Sequence, residues 1–242
     1  MIRIDPDVVP GVLLITLDRP DRRNAIDHAS LVGLLDAQAQ AANARVVVIT
    51  GTSPAFSAGA DLSGVRPEVF HDDLSRVLRG FAQLPVPVIA AIDGPALGAG
   101  AQLAAVCDLR VATPDSTIGI PAARLGLVVD HWTIDRMTRE FTWPVARAMF
   151  VAADTYPAQR LYEIGVIHRL GGLDVALDWA ADIAQLAPLA IAGHKLALEA
   201  SGGELVRDDR VEAARTRAWS SDDADEGRQA FLEKRRARFT GR

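Results

Sequence analysis

The stretch PVIAAIDGPALGAGAQLAAVCDLRVAT, residues 87–113, decides the fold. Its first part belongs to VPVIAAI (86–92), which reads as a strand buried on both faces, and its end, DLRVAT (108–113), predicts a further strand. Between them, GPALGAGAQLAAVCDLR (94–110) sets four glycine or proline residues against a small-residue run that reads as a helix. A loop of this kind can turn backbone N–H groups toward a negatively charged atom. The first turn of the helix that follows is a natural place for an acid or a base, yet it holds Gln102, which can be neither.

Working outward, RVVVIT (45–50) is the clearest buried strand, and VLLITL (12–17) is another, leaving the sheet through the turn-rich DRPDRRN. Asp27 reads as the N-cap of an amphipathic helix in which Leu31, Leu34 and Leu35 follow at helical spacing to about Asn43. Residues 71–83 allow a second helix. The alternation of strand and helix argues for an α/β core built from right-handed crossovers. From about residue 130 strand signals fade. Helices are expected over 131–140, 144–152, 157–164 (Pro157 at its first position, Gly165 past its end), 173–187, 188–200, 204–219 and 222–238.

A chain of 242 residues with 49% hydrophobic content is enough for one large core. Net charge is −5 and no basic block is longer than EKRRAR, which excludes a nucleic-acid footprint and points to small molecules and copies of itself as partners. Cys107 is the only cysteine, so no internal disulfide and no zinc-type spacing are expected. The start, MIRIDPDVVPG, is too polar for a signal peptide, and no long apolar run lacks a Gly, Pro or charge; the expectation is a cytoplasmic protein without integral membrane contact.

Two loops share one design: FSAGADL after the strand at 45–50 and GPALGAGAQL after the strand at 86–92. Parallel strands deliver their C-terminal loops to one edge, where open α/β sheets bind ligands. Each loop could offer a backbone N–H to one oxygen, and small side chains let the backbone come within about 3 Å of it.

LDRPDRRNAI (17–26), VVVITGTSPAFSAGADL (46–62), the opening stretch and FLEKRRARFTGR (231–242) together resemble the enoyl-CoA hydratase/isomerase, or crotonase, superfamily over nearly the whole chain. The resemblance implies an α/β fold with a crotonase-like ββα superhelix core (1–187) and a C-terminal helical trimerisation region (188–242) packed on the core or on a neighbouring subunit. It implies a homotrimer or dimer of trimers acting on a fatty acyl-CoA or enoyl-CoA, with coenzyme A arriving as the thioester substrate or ligand and no cofactor bound permanently. The residues matching the family's two oxyanion-hole donors are Ala60 in SAGAD and Ala99 in LGAGA, the latter usually a glycine. Coenzyme A contacts are implied around Arg22, Arg23 and Ala25, around Ala58, Ala60, Asp61 and Leu62 for the adenine, and at Phe231 and Lys234, often from a neighbouring subunit. Arg22 and Arg23 read equally as a solvated turn, and Asp61 as a local turn or cap. Lys234 and Lys195 are the only lysines.

Hydratases that the chain resembles carry two glutamates, which position and deprotonate water and supply the α-proton. Here Gln102 stands at the first position and Ala122, in IGIPAARLGL (118–127), at the second. Each lost acid–base role is worth about 10²- to 10⁴-fold, so ordinary hydration is expected to be weak or absent. Gln102 also reads as a helix hydrogen-bonder and Ala122 as an acyl-pocket wall. LGLVVDHW (125–132) resembles the segment bearing the catalytic aspartate of the dienoyl-CoA isomerase branch and, more loosely, of aryl-CoA dehalogenases, which makes Asp130 the one candidate acid/base. Asp130 reads equally as the N-cap of a helix starting near His131, with its carboxylate on the N–H of Trp132 or Thr133. His131 fits packing or surface, Trp132 an acyl-pocket wall or core position, and Cys107 the core. Two functions stay open: an enzyme of the hydratase/isomerase type, and a non-catalytic fatty acyl-CoA binding or delivery protein.

Overall fold

The structure, a computed structural model, describes residues 1–61, 67–201 and 220–242 together with 210, 213, 216 and 217, leaving out the side chains of 67, 68, 228, 231 and 232. Leu62 and most of the helix expected over 204–219 therefore lie outside the described residues, as does the side chain of Phe231.

Nine strands form two sheets among the described residues: β1 (Ile2–Val9), β2 (Val12–Leu17), β3 (Val46–Gly51), β4 (Val88–Ile92), β5 (Ala96–Leu97), β6 (Leu109–Ala112), β7 (Thr117–Gly119), β8 (Thr155–Pro157) and β9 (Arg169–Leu170). The larger has the order β1-β2-β3-β4-β6-β9 and is parallel except for β1. Each new parallel strand adds beside the last, so the crossovers wind one way. The near-continuous apolar runs are explained by the pleat, which sends alternate residues to opposite faces. Leu13, Ile15, Val47, Ile49, Val88 and Ala90 pack under α1 (His28–Ala41), α2 (Pro67–Gln83) and α3 (Ala99–Val106). Val12, Leu14, Val46, Val48, Ile89 and Ala91 face Ala176, Ala180 and Ile183 of the helix Leu173–Ile183 on the other side. The second sheet, β5-β7-β8, carries short pieces of chain beyond the first sheet's C-terminal edge. Bridges pairing Ile26 with Ala60 and Ser57 with Ala96 tie the loops there to it.

Asp27 caps α1 as expected, accepting from the Ser30 N–H at 2.8 Å. Downstream helices are α4 (His131–Phe141), α5 (Trp143–Arg147), α6 (Ala158–Glu163), α7 (Leu173–Ile183), α8 (Pro188–Ala200) and α9 (Asp222–Glu233). Several differ from the sequence reading. The helix expected over 144–152 is α5 followed by a π-turn over Ala148–Ala152. Pro157 is not the first residue of a helix; it ends β8, because β8 pairs antiparallel with β7. α7 stops at Ile183 since Ala187 precedes a proline and is held extended. α9 ends at Glu233, where Lys234 turns left-handed at φ 55°, and the tail folds back so that the N–H groups of Thr240 and Gly241 donate to the Asp223 carboxylate at 2.6 and 2.8 Å.

Two buried arginines close the C-terminal end of α3. Arg110 donates to the carbonyls of Cys107 (2.9 Å) and Ala104 (3.3 Å), and Arg136 donates to that of Ala105 (3.1 Å). Cations there complement the helix dipole. Glu140 pairs with Arg110 at 2.7 Å, and Arg136 reaches Glu199 of α8 at 2.6 Å. Lys195 of α8 completes the anchor through Asp108 at 2.7 Å and the carbonyl of Val86 at 3.1 Å. Cys107 is fully buried, and burial pushes its thiol up to about 12, so it behaves as a core residue. Among the described residues, no single helix is long and apolar enough to cross a membrane, and no three His, Cys, Asp or Glu side chains converge as for a metal.

His168 joins β6 to the segment before β9, its Nδ1 accepting the Arg110 N–H at 3.1 Å, with its ring tilted against Trp179. Burial, reinforced by the Arg110 charge, holds its pKa down at about 4. The neutral form is thus favoured by folding, so the stabilisation is complete above the unfolded pKa of about 6.5 and fades as pH falls toward 4. Because part of the residue faces water, the loss should be on the order of 1 kcal/mol, or about 2–4 °C in Tm. Thermal unfolding from pH 7 to 4 should show this drop, and His168→Gln should flatten it.

Candidate active site

The loops leaving β3 and β4 meet because their backbones touch. A Cβ on Gly100 would lie 2.6 Å from the Ser57 carbonyl oxygen and 2.7 Å from the Ser57 Cβ, so α3 can dock on the first loop only with glycine there. Gly59, at φ 106°, is held so that a Cβ on it would sit 2.9 Å from the Leu97 oxygen and 3.6 Å from the Ala99 nitrogen. The peptides on either side of Gly59 therefore lie against the N-terminus of α3. Ile26 donates to the Gly59 oxygen and accepts from the Asp61 N–H, both at 2.8 Å, which fixes the strand-like course of Ala60 without using its own N–H. Among the described residues neither Ala60 N–H nor Ala99 N–H has an acceptor. The strained position at the second loop is Gly98 (φ 53°), whereas Ala99 starts the helix without a positive φ. Alanine is thus compatible with the backbone where the resembling family usually has glycine.

Asn24 latches the preceding segment to this edge. Its amide donates to the carbonyls of Thr52 (2.7 Å) and Ala55 (2.6 Å), and its oxygen accepts from the Arg19 N–H at 2.8 Å. The Ala58 N–H donates to the Arg23 oxygen at 2.9 Å, so Arg22, Arg23, Ala25, Ala58, Ala60 and Asp61 share one rim with Ala99. Arg22, Arg23 and Ala58 are exposed there. The Asp61 carboxylate meets Arg19 at 3.0 Å, and Arg19 also pairs with Asp27 at 3.1 Å; this favours a structural reading of the Asp61 side chain. Lys234 is not brought to this rim within one chain. The adjoining tail, Arg235–Thr240, instead borders a cavity of about 1160 Å³ with Pro10, Gly11 and Arg45, which lie before β2 and β3 at the opposite sheet edge.

Gln102 follows Ala99 by one helical turn and is buried. Its Oε1 lies 3.5 Å from Thr133 Oγ1, and that hydroxyl stands 2.6 Å from Asp130 Oδ2. The hydroxyl has one proton, and the shorter contact takes it. Asp130 Oδ1 accepts the Thr133 N–H at 3.1 Å, so Asp130 is the N-cap of α4, with both oxygens on Thr133. Ala122 sits half-buried against the main core. Trp132 is half-buried beside Gln102, and His131 is exposed. Sequence reasoning missed Asn24 and the hydroxyl of Thr133, whose N–H it did name as a partner for Asp130. The second had a usable signal, a hydroxyl three residues after a capping aspartate; the first had none.

A family model described as enoyl-CoA hydratase/isomerase matches residues 8–242. The chain is 39% identical over 238 residues to a probable enoyl-CoA hydratase of Mycobacterium leprae, covering 96% of each. It superposes on an enoyl-CoA hydratase/carnithine racemase from Magnetospirillum magneticum with TM-score 0.92 at 25% identity, covering 100% of this chain and 96% of that one. On an enoyl-CoA hydratase from Mycobacterium tuberculosis the TM-score is 0.83 at 32% identity, over 100% and 99% of the two chains.

The capping role of Asp130 is separable from any other. Asp130→Ala should lower unfolding stability by about 0.5–2 kcal/mol, while Asp130→Asn, which keeps the cap acceptor, should cost little. Denaturant titration of the two variants checks this.

Proposed function

The chain belongs to the enoyl-CoA hydratase/isomerase family, and from that premise we propose that it binds fatty acyl- or enoyl-CoA thioesters through an oxyanion hole made by the N–H groups of Ala60 and Ala99. The observation that supports this is the approach of Gly59 to the Ala99 nitrogen, which brings together the two loops whose Ala60 and Ala99 N–H groups have no acceptor among the described residues. A thioester oxygen accepting both would be polarised, and the enolate formed by loss of an α-proton would gain most, because charge develops on that oxygen. Removing one such donor typically costs about 10²- to 10³-fold. The rim holding Arg22, Arg23, Ala25, Ala58 and Asp61 suits coenzyme A, with Leu62 next in sequence. Phe231 and Lys234 would reach it from a neighbouring subunit, in a cytoplasmic homotrimer or dimer of trimers.

Asp130 is the only candidate acid/base, and classical hydration should be weak or absent, since an amide and a methyl stand at the positions where both glutamates would be needed. In an isomerase role Asp130 would move a proton at the distal end of a conjugated acyl chain while the oxyanion hole holds the dienolate. The engagement of both Asp130 oxygens by Thr133 favours a second reading, a non-catalytic fatty acyl-CoA binding or delivery protein.

A panel of trans-2-enoyl-, 3-enoyl-, 3,5-dienoyl- and saturated acyl-CoAs, assayed for binding and turnover, separates the two. Turnover that falls by about 100-fold or more in Asp130→Asn with binding intact supports the enzyme. Tight binding of saturated acyl-CoA with no turnover of any substrate supports the carrier. Gln102→Glu combined with Ala122→Glu should raise hydration by about 100-fold or more; a wild type that already hydrates at the rates of its two-glutamate relatives would overturn the proposal.

A further inference from the structure

Resting on the acyl-CoA reading above, we infer that the preferred acyl chain carries a carboxylate at its far end, received by Arg79 at a cationic cavity behind Trp132. From the Ala99 N–H, α3 runs past Gln102 to Ala105 and Val106, about 10 Å along its axis at about 1.5 Å per residue. Over this stretch Gln102, Leu78, Met137 and Trp132 line a crevice between α2, α3 and α4 that is closed even to water, so a chain entering it must push these side chains apart. Beyond the indole lies a cavity of about 570 Å³ between α2, α4 and α8, which Trp132 also lines. Trp132 thus separates the crevice from the cavity, and a chain passing between them must displace its half-buried ring.

The cavity is not a place to end a plain alkyl chain. Beside Leu84, Ala192 and Leu196 it is lined by Arg79, Arg139, Lys195, Arg210 and Arg217, against one acid, Glu199. Glu199 is already neutralised by Arg136 at 2.6 Å, Lys195 serves Asp108 at 2.7 Å, and Arg139 serves Asp135 at 2.8 Å. Arg79 differs. Its Nε donates to Ser75 Oγ at 3.2 Å and its guanidinium lies 4.6 Å over the Trp132 ring, with no carboxylate partner among the described residues. An alkyl terminus pushed past Trp132 would come to lie against this hydrated cation and gain no contact from it. A terminal carboxylate would pair with this exposed guanidinium in a charge-assisted hydrogen bond that salt can screen.

The test measures binding of saturated hexanoyl-, octanoyl- and decanoyl-CoA beside adipoyl-, suberoyl- and sebacoyl-CoA, the same chains with a terminal carboxylate, to the full-length wild type, Arg79→Gln and Arg79→Lys. The expected result is a preference of about tenfold or more for the carboxylated chain at one length at least, shrinking with salt. The preference should vanish in Arg79→Gln and return in Arg79→Lys, with affinity for the plain chains unchanged. Plain chains that bind as tightly as carboxylated ones at every length, or a preference that survives Arg79→Gln, overturn the inference and leave the acyl-CoA reading standing. Failure of every thioester to bind removes both.

Discussion

Contact of backbone on backbone between α3 and the loop leaving β3 governs the rest of the structure. Glycine at 100 lets the helix rest on Ser57, and glycine at 59 lets the following peptide face the helix start. The position of Ala99 fixes that of Gln102 one turn on, beside Thr133, the residue that holds Asp130 at the start of α4. A methyl group at either glycine would separate the two loops and with them every group of the candidate site. The parallel sheet supplies the edge, but the edge becomes a site only because side chains are missing from it.

This explains which parts were legible in the sequence. β2, β3 and β4 are runs of Val and Ile long enough to declare themselves, and their burial on two faces follows from the pleat. The glycine spacing of the two loops was equally visible, as were the Asp27 and Asp130 caps. β5, β7, β8 and β9 were not, because two or three residues carry no periodicity and their pairing is decided by distant partners such as Tyr156 with Ile118. Helix ends failed for a related reason. Glu233 closes α9 because the tail returns to Asp223, a contact between residues that no local window joins. Asn24 was invisible as a latch, since its three partners come from segments folded over it from both sides.

Gln102 gains meaning from its surroundings. An ionised carboxylate at this buried place would need compensating donors or would be driven toward its neutral form, as burial disfavours the charged state. The amide removes that cost and adds no charge to a crevice that already has Arg136 in its wall. The avoided burial cost and the absence of a titrating carboxyl at this position therefore come from one side chain.

The guanidinium groups of Arg110 and Arg136 at the far end of α3 bear on the donors at its start. A helix so short has both ends within reach of one another, and a bare negative terminus would offset the field of the positive one. Buried arginines cancel that terminus, and guanidinium stays protonated across the range in which proteins fold. What α3 presents at its start therefore depends on an arginine–glutamate network at its other end, which Glu140 and Glu199 extend to α4 and α8.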